Sequence, residues 1–132
     1  MKRTFGILLI IMAIIAAFPC KALAVNTEDI LNKIVASDGS SSDFFGYAVA
    51  SSGTKVVIGA WGDNVFGSYS GSAYVYDLSS GVLADVLASE IKLTPRDGAS
   101  SDRFGYAVSI SGDTVVIGAE RDDDRGSVSG SI

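Results

Sequence analysis

Residues 43–60 read DFFGYAVASSGTKVVIGA, and residues 102–119 read DRFGYAVSISGDTVVIGA. The two stretches belong to a longer self-match, in which residues 34–73 align with residues 93–132 at a constant offset of 59 without a gap. The alignment contains 23 identities in 40 positions, which shared composition cannot produce. The chain is therefore a tandem repeat, with a first unit at residues 34–92 and a second, incomplete unit at residues 93–132.

Three stretches of the first unit have the residue pattern of short β-strands. Residues 47–51 alternate around small and apolar side chains, and Lys55–Ala60 is a β-branched apolar run that ends in Gly and Ala. Residues 72–78 alternate, which places Tyr74 and Tyr76 on one face of the strand. The first stretch ends at the turn pair Ser52-Gly53, as strands commonly do.

Two further segments have a weaker pattern. Residues 83–93 fit a strand or a short helix, and we favour a strand at residues 89–93 because the turn pair Asp97-Gly98 follows it. Residues 26–33 fit a helical turn. With a strand at residues 89–93, the unit holds four short antiparallel strands, which form a β-meander.

A tandem β-meander predicts an all-β fold of β-propeller blades, here about 1.7 blades behind a helical leader. One four-stranded sheet cannot cover both of its faces, so neighbouring sheets must pack on each other. The Val56-Val57-Ile58 run is then expected to be buried on both sides. The glycines at positions 46, 59, 105 and 118 are expected to allow close approach of backbones.

The repeated motifs resemble FG-GAP repeats, the blades of integrin-α-like β-propellers. The residues that carry the resemblance are the Phe-Gly and Gly-Ala pairs of each unit: Phe45, Gly46, Gly59, Ala60, Phe104, Gly105, Gly118 and Ala119. The resemblance implies blade-like sheets and covers nearly the whole chain after the leader. It defines no activity, because propellers include binding proteins and enzymes alike.

The resemblance does not extend to a calcium loop. Integrin-type blades often carry an Asp-rich calcium loop between their first two strands, whereas here residues 51–54 and 110–113 make that connection. These loops offer at most one carboxylate each, and calcium requires six to eight oxygen ligands. We therefore expect no cofactor, although calcium binding elsewhere in the chain stays open.

Residues 1–24 have the layout of a secretory signal peptide. Lys2 and Arg3 precede an apolar run over residues 5–18, and a small-x-small pattern ends at Ala24. Cleavage is therefore predicted between Ala24 and Val25, followed by a lead-in at residues 25–33. The alternatives are an uncleaved anchor, for which the run is short, and lipidation at Cys20, whose preceding residues make a poor lipobox.

The composition after the predicted cleavage excludes several classes of protein. The remaining 132 − 24 = 108 residues carry 7 basic and 15 acidic side chains, a net charge of 7 − 15 = −8, with no Cys and no His. The charge argues against nucleic acid binding, and the missing His excludes Ser-His-Asp triads and His-ligated metals. We expect a secreted, periplasmic or cell-surface protein without a stable membrane span after cleavage.

The densest acidic cluster is Asp122-Asp123-Asp124, a weak candidate for a metal site. Consecutive aspartates point in different directions and rarely chelate one ion together. The equivalent residues 63–65 of the first unit do not preserve the ligands. A solvated loop is therefore the interpretation that we favour.

Other acidic residues recur in both units. Asp38 and Asp97 precede glycines, and Asp43 and Asp102 follow five residues later. Paired carboxylates could serve acid–base chemistry, but a pair present in every repeat is more typical of turns. No catalytic residue is predicted.

Three aromatic residues are specific to the first unit. Trp61, Phe66 and Tyr69 stand where the second unit has Glu120, Arg125 and Val128. An exposed aromatic loop could contact a protein or glycan ligand. Packing over the edge of a blade is the alternative, and we favour it because most large apolar residues are covered.

Three functional hypotheses remain open from the sequence. The first is a non-catalytic binding or adhesion module, a fragment of a larger propeller. The second is the propeller part of an exported hydrolase whose catalytic part lies outside this chain, and the third is a truncated, non-functional product. In the first case, self-association or pairing with the missing blades would cover the faces that fewer than two blades leave open.

Overall fold

The computed structural model describes residues 33–132. Its elements are, in chain order, β1 (Ala48–Ser52), β2 (Lys55–Ala60), β3 (Ser72–Asp77), α1 (Leu83–Ala88), β4 (Ile91–Leu93), β5 (Phe104–Ser111) and β6 (Thr114–Ala119). The predicted leader, its cleavage site at Ala24 and Val25, and the helical turn at residues 26–33 lie outside the described residues, apart from Lys33. No helix within residues 33–132 is long and apolar enough to cross a membrane.

The strands form two antiparallel sheets. Sheet A holds β1 to β4 in chain order, so every pair of neighbours along the chain is also paired in the sheet. Sheet B holds β5 and β6, and an isolated bridge between Ala119 and Ser131 adds to it. That bridge is the counterpart of the pairing between Ala60 and Ser72 in sheet A. The mostly-β fold and the four-stranded meander of the first unit are confirmed.

Tight turns fix the register of the first hairpin of each repeat. Gly53 and Thr54 connect β1 to β2, and Gly112 and Asp113 connect β5 to β6. Both glycines have positive φ, 58° at Gly53 and 55° at Gly112. A two-residue hairpin loop requires such a backbone, which glycine adopts without steric cost.

Strand β2 is the centre of the core. Val56, Val57 and Ile58 are exposed by only 8%, 0% and 6%, as the sequence predicts for a strand covered on both faces. Side chains of successive residues point to opposite faces, so the strand contributes to two apolar layers. The layer away from sheet B comprises Val56, Ile58, Ala60, Tyr74, Tyr76 and Val86, with Ile34, Ala36, Phe45 and Leu87 packed against them. The layer between the sheets comprises Val57, Ala73 and Ile117, with Ala50, Val75, Leu93, Phe104, Val108, Ile110 and Val115.

The segment after β3 contains both elements that the sequence left open for it. Residues 83–88 form helix α1, and the strand that follows is Ile91–Leu93, which confirms the favoured strand at residues 89–93 with a start two residues later. The helix places Val86 in the apolar layer with Tyr76, a contact between α1 and the sheet that the local pattern did not reveal. The strand predicted at Lys55–Ala60 is observed with the same bounds, and the strands predicted at residues 47–51 and 72–78 differ from the observed ones by one residue at their ends.

The two sheets approach closely through glycine. A Cβ atom on Gly59 would lie 2.0 Å from the carbonyl oxygen of Gly105, and one on Gly105 would lie 2.2 Å from that of Ser72. The predicted close approach is thus confirmed at these two glycines. It is wrong for Gly46, which has nothing within 4 Å of its Cβ position but has a φ of +91°, and for Gly118, where a Cβ would make ordinary contact with Ala107 at 3.6 Å.

Backbone hydrogen bonds also join the repeats. The N–H groups of Ser101, Arg103 and Phe104 donate to the carbonyl oxygens of Ser68, Tyr69 and Ser70, at 2.8, 3.0 and 3.0 Å. Gly71 and Phe104 form a parallel bridge at the end of this ladder. These bonds attach the first residue of β5, and the residues just before it, to the loop that precedes β3 in sheet A.

A polar cluster connects β4 to the start of the first repeat. The Lys92 Nζ atom pairs with the carboxylates of Asp38 and Asp63, the latter at 2.7 Å. The Tyr74 hydroxyl and the Ser72 hydroxyl donate to Asp38 and Asp63 respectively, at 2.8 and 2.7 Å. The hydrogen bond from Lys92 lowers the pKa of Asp38. Burial alone would raise the pKa of Asp63, but its bonds with Lys92 and Ser72 outweigh burial and lower it.

Candidate functional site

Four aromatic side chains surround Trp61, at the junction of the two repeats. Phe44 stacks on the indole ring at a centroid distance of 4.4 Å, and the rings of Tyr69, Tyr47 and Tyr106 follow at 5.7, 5.8 and 6.2 Å. We call these five residues the aromatic cluster. Because Tyr106 belongs to β5, the cluster spans both repeats and exists only when the two sheets are packed together.

The strands place the central members of the cluster. Tyr47 directly precedes β1, and Trp61 directly follows β2. In the antiparallel pair, Ala48 lies opposite Gly59, so the residues just beyond this pair lie at the same end of the sheet. Phe44 and Tyr69 reach the same end from turns, with positive φ values of 55° and 58°. Their counterparts in the second repeat have similar φ values, so the strained backbone belongs to the repeat rather than to the cluster.

Three rings of the cluster face solvent. Tyr47 is 53% exposed, Phe44 47% and Tyr69 42%. Trp61 itself is only partly exposed, and its Nε1 atom is buried without a hydrogen-bond partner among the described residues. An unpaired buried N–H typically costs about 1–3 kcal/mol. The exposed surface of the cluster is therefore formed by two tyrosines and a phenylalanine, with the indole beneath them.

Charged residues of the second repeat border the cluster. The guanidinium of Arg103 lies 4.8 Å from the centroid of the Trp61 ring, a cation–π arrangement. The Nη1 atom of Arg103 also pairs with Glu120. Arg103 and Glu120 stand at the positions that Phe44 and Trp61 hold in the first repeat, so an ion pair replaces a stacked aromatic pair at the same site.

A hydroxyl pair completes the polar part of the cluster. The Tyr47 and Tyr106 hydroxyl oxygens lie 3.0 Å apart, and their rings are 5.0 Å apart. The hydrogen bond with Tyr47 raises the pKa of Tyr106, and the nearby charge of Glu120 adds to the shift. A phenol hydroxyl can both donate and accept a hydrogen bond, so the pair offers a donor and acceptors at the edge of the cluster.

The sequence prediction grouped Trp61, Phe66 and Tyr69, and the structure brings only two of these together. Phe66 is 46% exposed but lies against Gly98, away from the other two rings. Phe44, Tyr47 and Tyr106 are not among the residues that the sequence singles out as ligand contacts. The two tyrosines are equivalent positions of the two repeats, and only their position beside Trp61 reveals the cluster.

In the acidic loop at Asp122–Asp123–Asp124, the first two carboxylates accept hydrogen bonds from the backbone of the same loop. The Asp122 carboxylate accepts the backbone N–H of Asp124 at 3.0 Å, and the Asp123 carboxylate accepts that of Val128. Asn64, the counterpart of Asp123, accepts the N–H of Tyr69 in the same way at 2.9 Å. Within residues 33–132, no group of three or more potential ligand side chains is arranged to hold a metal ion.

The recurring carboxylates also serve turns. Asp43 and Asp102 are buried, and each accepts the backbone N–H of the residue three positions earlier, Ser40 and Ala99 respectively, at 2.5 and 2.6 Å. These are the bonds of a turn-capping aspartate. The turn role that the sequence predicts for these two residues is confirmed.

Tandem copies of one motif, folded into two packed antiparallel sheets that share an aromatic cluster, define a β-repeat protein. The sequence model of the FG-GAP repeat family matches residues 31–76 and 88–132. These matches cover most of the chain, which therefore belongs to the FG-GAP repeat family. Comparison with the curated proteins and with the solved structures finds no match.

Proposed function

We propose that this chain is an exported, non-catalytic binding module of the β-propeller type, and that the aromatic cluster contacts a neutral glycan. The observation that carries the proposal is the exposure of Phe44, Tyr47 and Tyr69 side by side at the junction of the repeats. Family membership supports the propeller part of the proposal, since FG-GAP repeats form propeller blades. The predicted leader supports export.

The packing of the sheets supports the blade interpretation. Sheet A and sheet B lie face to face, with Val57 of one sheet and Ile117 of the other in a shared apolar layer. Each sheet begins with the same hairpin, and Gly105 of the second repeat inserts against Gly59 of the first. Neighbouring blades of a propeller pack in this manner, face to face around an axis.

The chemistry of the cluster supports a glycan. A pyranose ring has an apolar C–H face and a rim of hydroxyls, and tyrosine offers an apolar ring with a polar tip. The exposed ring faces and the paired hydroxyls of Tyr47 and Tyr106 match both parts. The full chain carries a net charge of −5, and Arg103 is already paired with Glu120. A neutral sugar therefore fits better than an anionic one.

Intrinsic fluorescence provides a direct test, because Trp61 is the only Trp in the sequence and lies within the cluster. Titration with neutral β-linked oligosaccharides of glucose and of N-acetylglucosamine is expected to change its emission, with affinity confirmed by calorimetry. Tyr47→Ala should weaken binding at least tenfold. The same substitution should leave the circular dichroism spectrum unchanged, because Tyr47 is 53% exposed.

Phe66→Ala is the matched control. Phe66 is an exposed aromatic residue of the same repeat that lies outside the cluster, so its removal should not change the affinity. The glycan assignment is wrong if no oligosaccharide changes either signal. It is also wrong if Phe66→Ala weakens binding as much as Tyr47→Ala does.

A further inference from the structure

The contact between the repeats is formed by two different surfaces, one from each repeat. The first repeat contributes what we call the receiving face, and the second contributes the inserting face. The receiving face consists of Val57, Gly59, Gly71 and Ser72, and the inserting face consists of Phe104, Gly105 and Val108. Gly59 and Ser72 meet the backbone of Gly105, and Gly71 meets that of Phe104.

The second repeat carries a free copy of the receiving face. Its residues are Val116, Gly118, Gly130 and Ser131, at the offset of 59 from those of the first repeat. Val116 is 45% exposed, whereas its counterpart Val57 is fully buried. A concave cavity of about 450 Å³ lies over this surface and is lined by Gly118, Gly130 and Ser131. It stands where the first repeat holds the Phe104–Gly105 backbone.

The first repeat carries a free copy of the inserting face, formed by Phe45, Gly46 and Val49. Val49 is 59% exposed, and Gly46 is exposed although its counterpart Gly105 is buried. No atom of residues 33–132 lies within 4 Å of the Cβ position of Gly46. Its φ of +91° matches the +87° of Gly105, so the backbone already has the conformation that inserts between repeats.

We propose that two copies of this chain associate head to tail, with the inserting face of one copy on the receiving face of the other. The internal contact between the repeats is the template for this association. By that template, Gly46 of one copy would lie on Gly118 of its neighbour, and Phe45 would bridge Gly130. Such a heterologous contact leaves one free face of each kind, so copies add until a ring closes.

The glycines give a selective test of this association. A Cβ atom at Gly118 would meet only Ala107, at an ordinary 3.6 Å, so Gly118→Ala fits the isolated chain. At the counterpart Gly59, the same atom would lie 2.0 Å from a backbone oxygen of the inserted repeat. Gly118→Ala should therefore preserve the fold and block the association, because the neighbour's Gly46 would meet the new methyl group.

The full chain is expressed with its leader and purified in its exported form. Light scattering then measures its mass in solution over protein concentrations of 1–200 µM. We expect the mass to rise to a multiple of the monomer. Gly118→Ala and, independently, Val116→Glu should weaken the association at least tenfold. Val82→Glu, at a 53% exposed valine outside both faces, is the matched control and should associate normally.

Each outcome of the mass measurement either supports or overturns the association. A wild-type chain that stays monomeric at 200 µM overturns the proposal, as does an association that both face variants leave unchanged. If Gly118→Ala does not fold, Val116→Glu decides alone, since its side chain points to solvent. No glycan is present in these measurements, so the association test gives its result whether or not the proposed glycan binding is correct.

Discussion

The carbonyl oxygen of Gly105 lies 2.0 Å from the point where a Cβ atom would stand on Gly59. Backbone contacts backbone here, so no side-chain rotation can relieve a substitution. We expect Gly59→Ala to force the two repeats apart and to lower the free energy of unfolding by about 1–3 kcal/mol or more, the usual cost of overpacking. Thermal and denaturant unfolding followed by circular dichroism will measure it.

Gly118→Ala is the control for Gly59→Ala, since it changes the same position of the second repeat. At low protein concentration its free energy of unfolding should stay within about 0.5 kcal/mol of wild type, as for other tolerated surface changes. Equal destabilisation by the two substitutions would show that the close contact at Gly59 does not hold the repeats together.

The central valine of the β2 motif offers a second pair of equivalent positions. Val57 is fully buried between the sheets, whereas Val116 is 45% exposed. Val57→Ala removes two buried methyl groups and should cost about 1.5–3 kcal/mol, while Val116→Ala should cost less than about 0.5 kcal/mol in the monomer. Urea unfolding at low micromolar concentration tests both. A cost that does not depend on the repeat would contradict the observed packing.

The Lys92 cluster predicts how stability depends on pH. Burial alone would lower the pKa of Lys92, but its bonds with Asp38 and Asp63 outweigh burial and raise it. The contribution of Lys92 is thus fully present below its unfolded pKa of about 10.4 and is lost as the pH rises through its folded pKa. The pKa values of both aspartates are lowered, so their contribution is present above about pH 4 and is lost as the pH falls through their folded pKa values.

Lys92→Met should therefore destabilise the chain by about 1–3 kcal/mol at pH 7, because Asp63 is left buried without its cation. The loss of stability in acid should also begin at a higher pH, since burial then raises the pKa of Asp63. Lys55→Met is the control: Lys55 pairs with Asp113 at an exposed site, where solvent screening leaves an ion pair with little effect on stability. Denaturant titrations from pH 3 to pH 11 compare the two variants.

The hydroxyl pair of the aromatic cluster predicts a coupled titration. The hydrogen bond with Tyr47 is the main cause of the raised pKa of Tyr106, so Tyr47→Phe should lower this pKa toward the ordinary value of about 10. A pH titration of the Tyr106 ring signals by NMR measures the shift. Tyr69→Phe should leave it unchanged, and an unaltered Tyr106 pKa in Tyr47→Phe would contradict the hydrogen bond.

The strands and hairpins followed from local patterns in the sequence. The β-branched run at Lys55–Ala60 and the glycines at positions 53 and 112 specify strands and tight turns through short-range physics alone. The offset of 59 then predicts that the second unit repeats the first hairpin. The pattern of residues 83–93 left a strand and a short helix open because the apolar residues fit either period, and a tertiary contact between Val86 and the core favours the helix at Leu83–Ala88.

For the candidate site, the sequence predicted less than the tertiary structure decided. Trp61 and Tyr69 are candidate ligand contacts from their absence in the second repeat, with packing over a blade edge as the favoured alternative. The cluster also contains Tyr106, 45 residues beyond Trp61. Sequence spacing does not reveal which side chains of two packed sheets share an edge. The same limit applies to Lys92, which reaches Asp38 from 54 positions away along the chain.

The sequence by itself determined the repeat, the strand pattern and the family, because each depends on the order of residues within a short stretch. The tertiary structure decided which copy of each motif is buried. Val57 and Val116 have the same neighbours in sequence, yet one is covered and the other is exposed. Identical motifs differ in this way because burial depends on the sheet packed against them, and within residues 33–132 sheet B covers the receiving face of the first repeat alone.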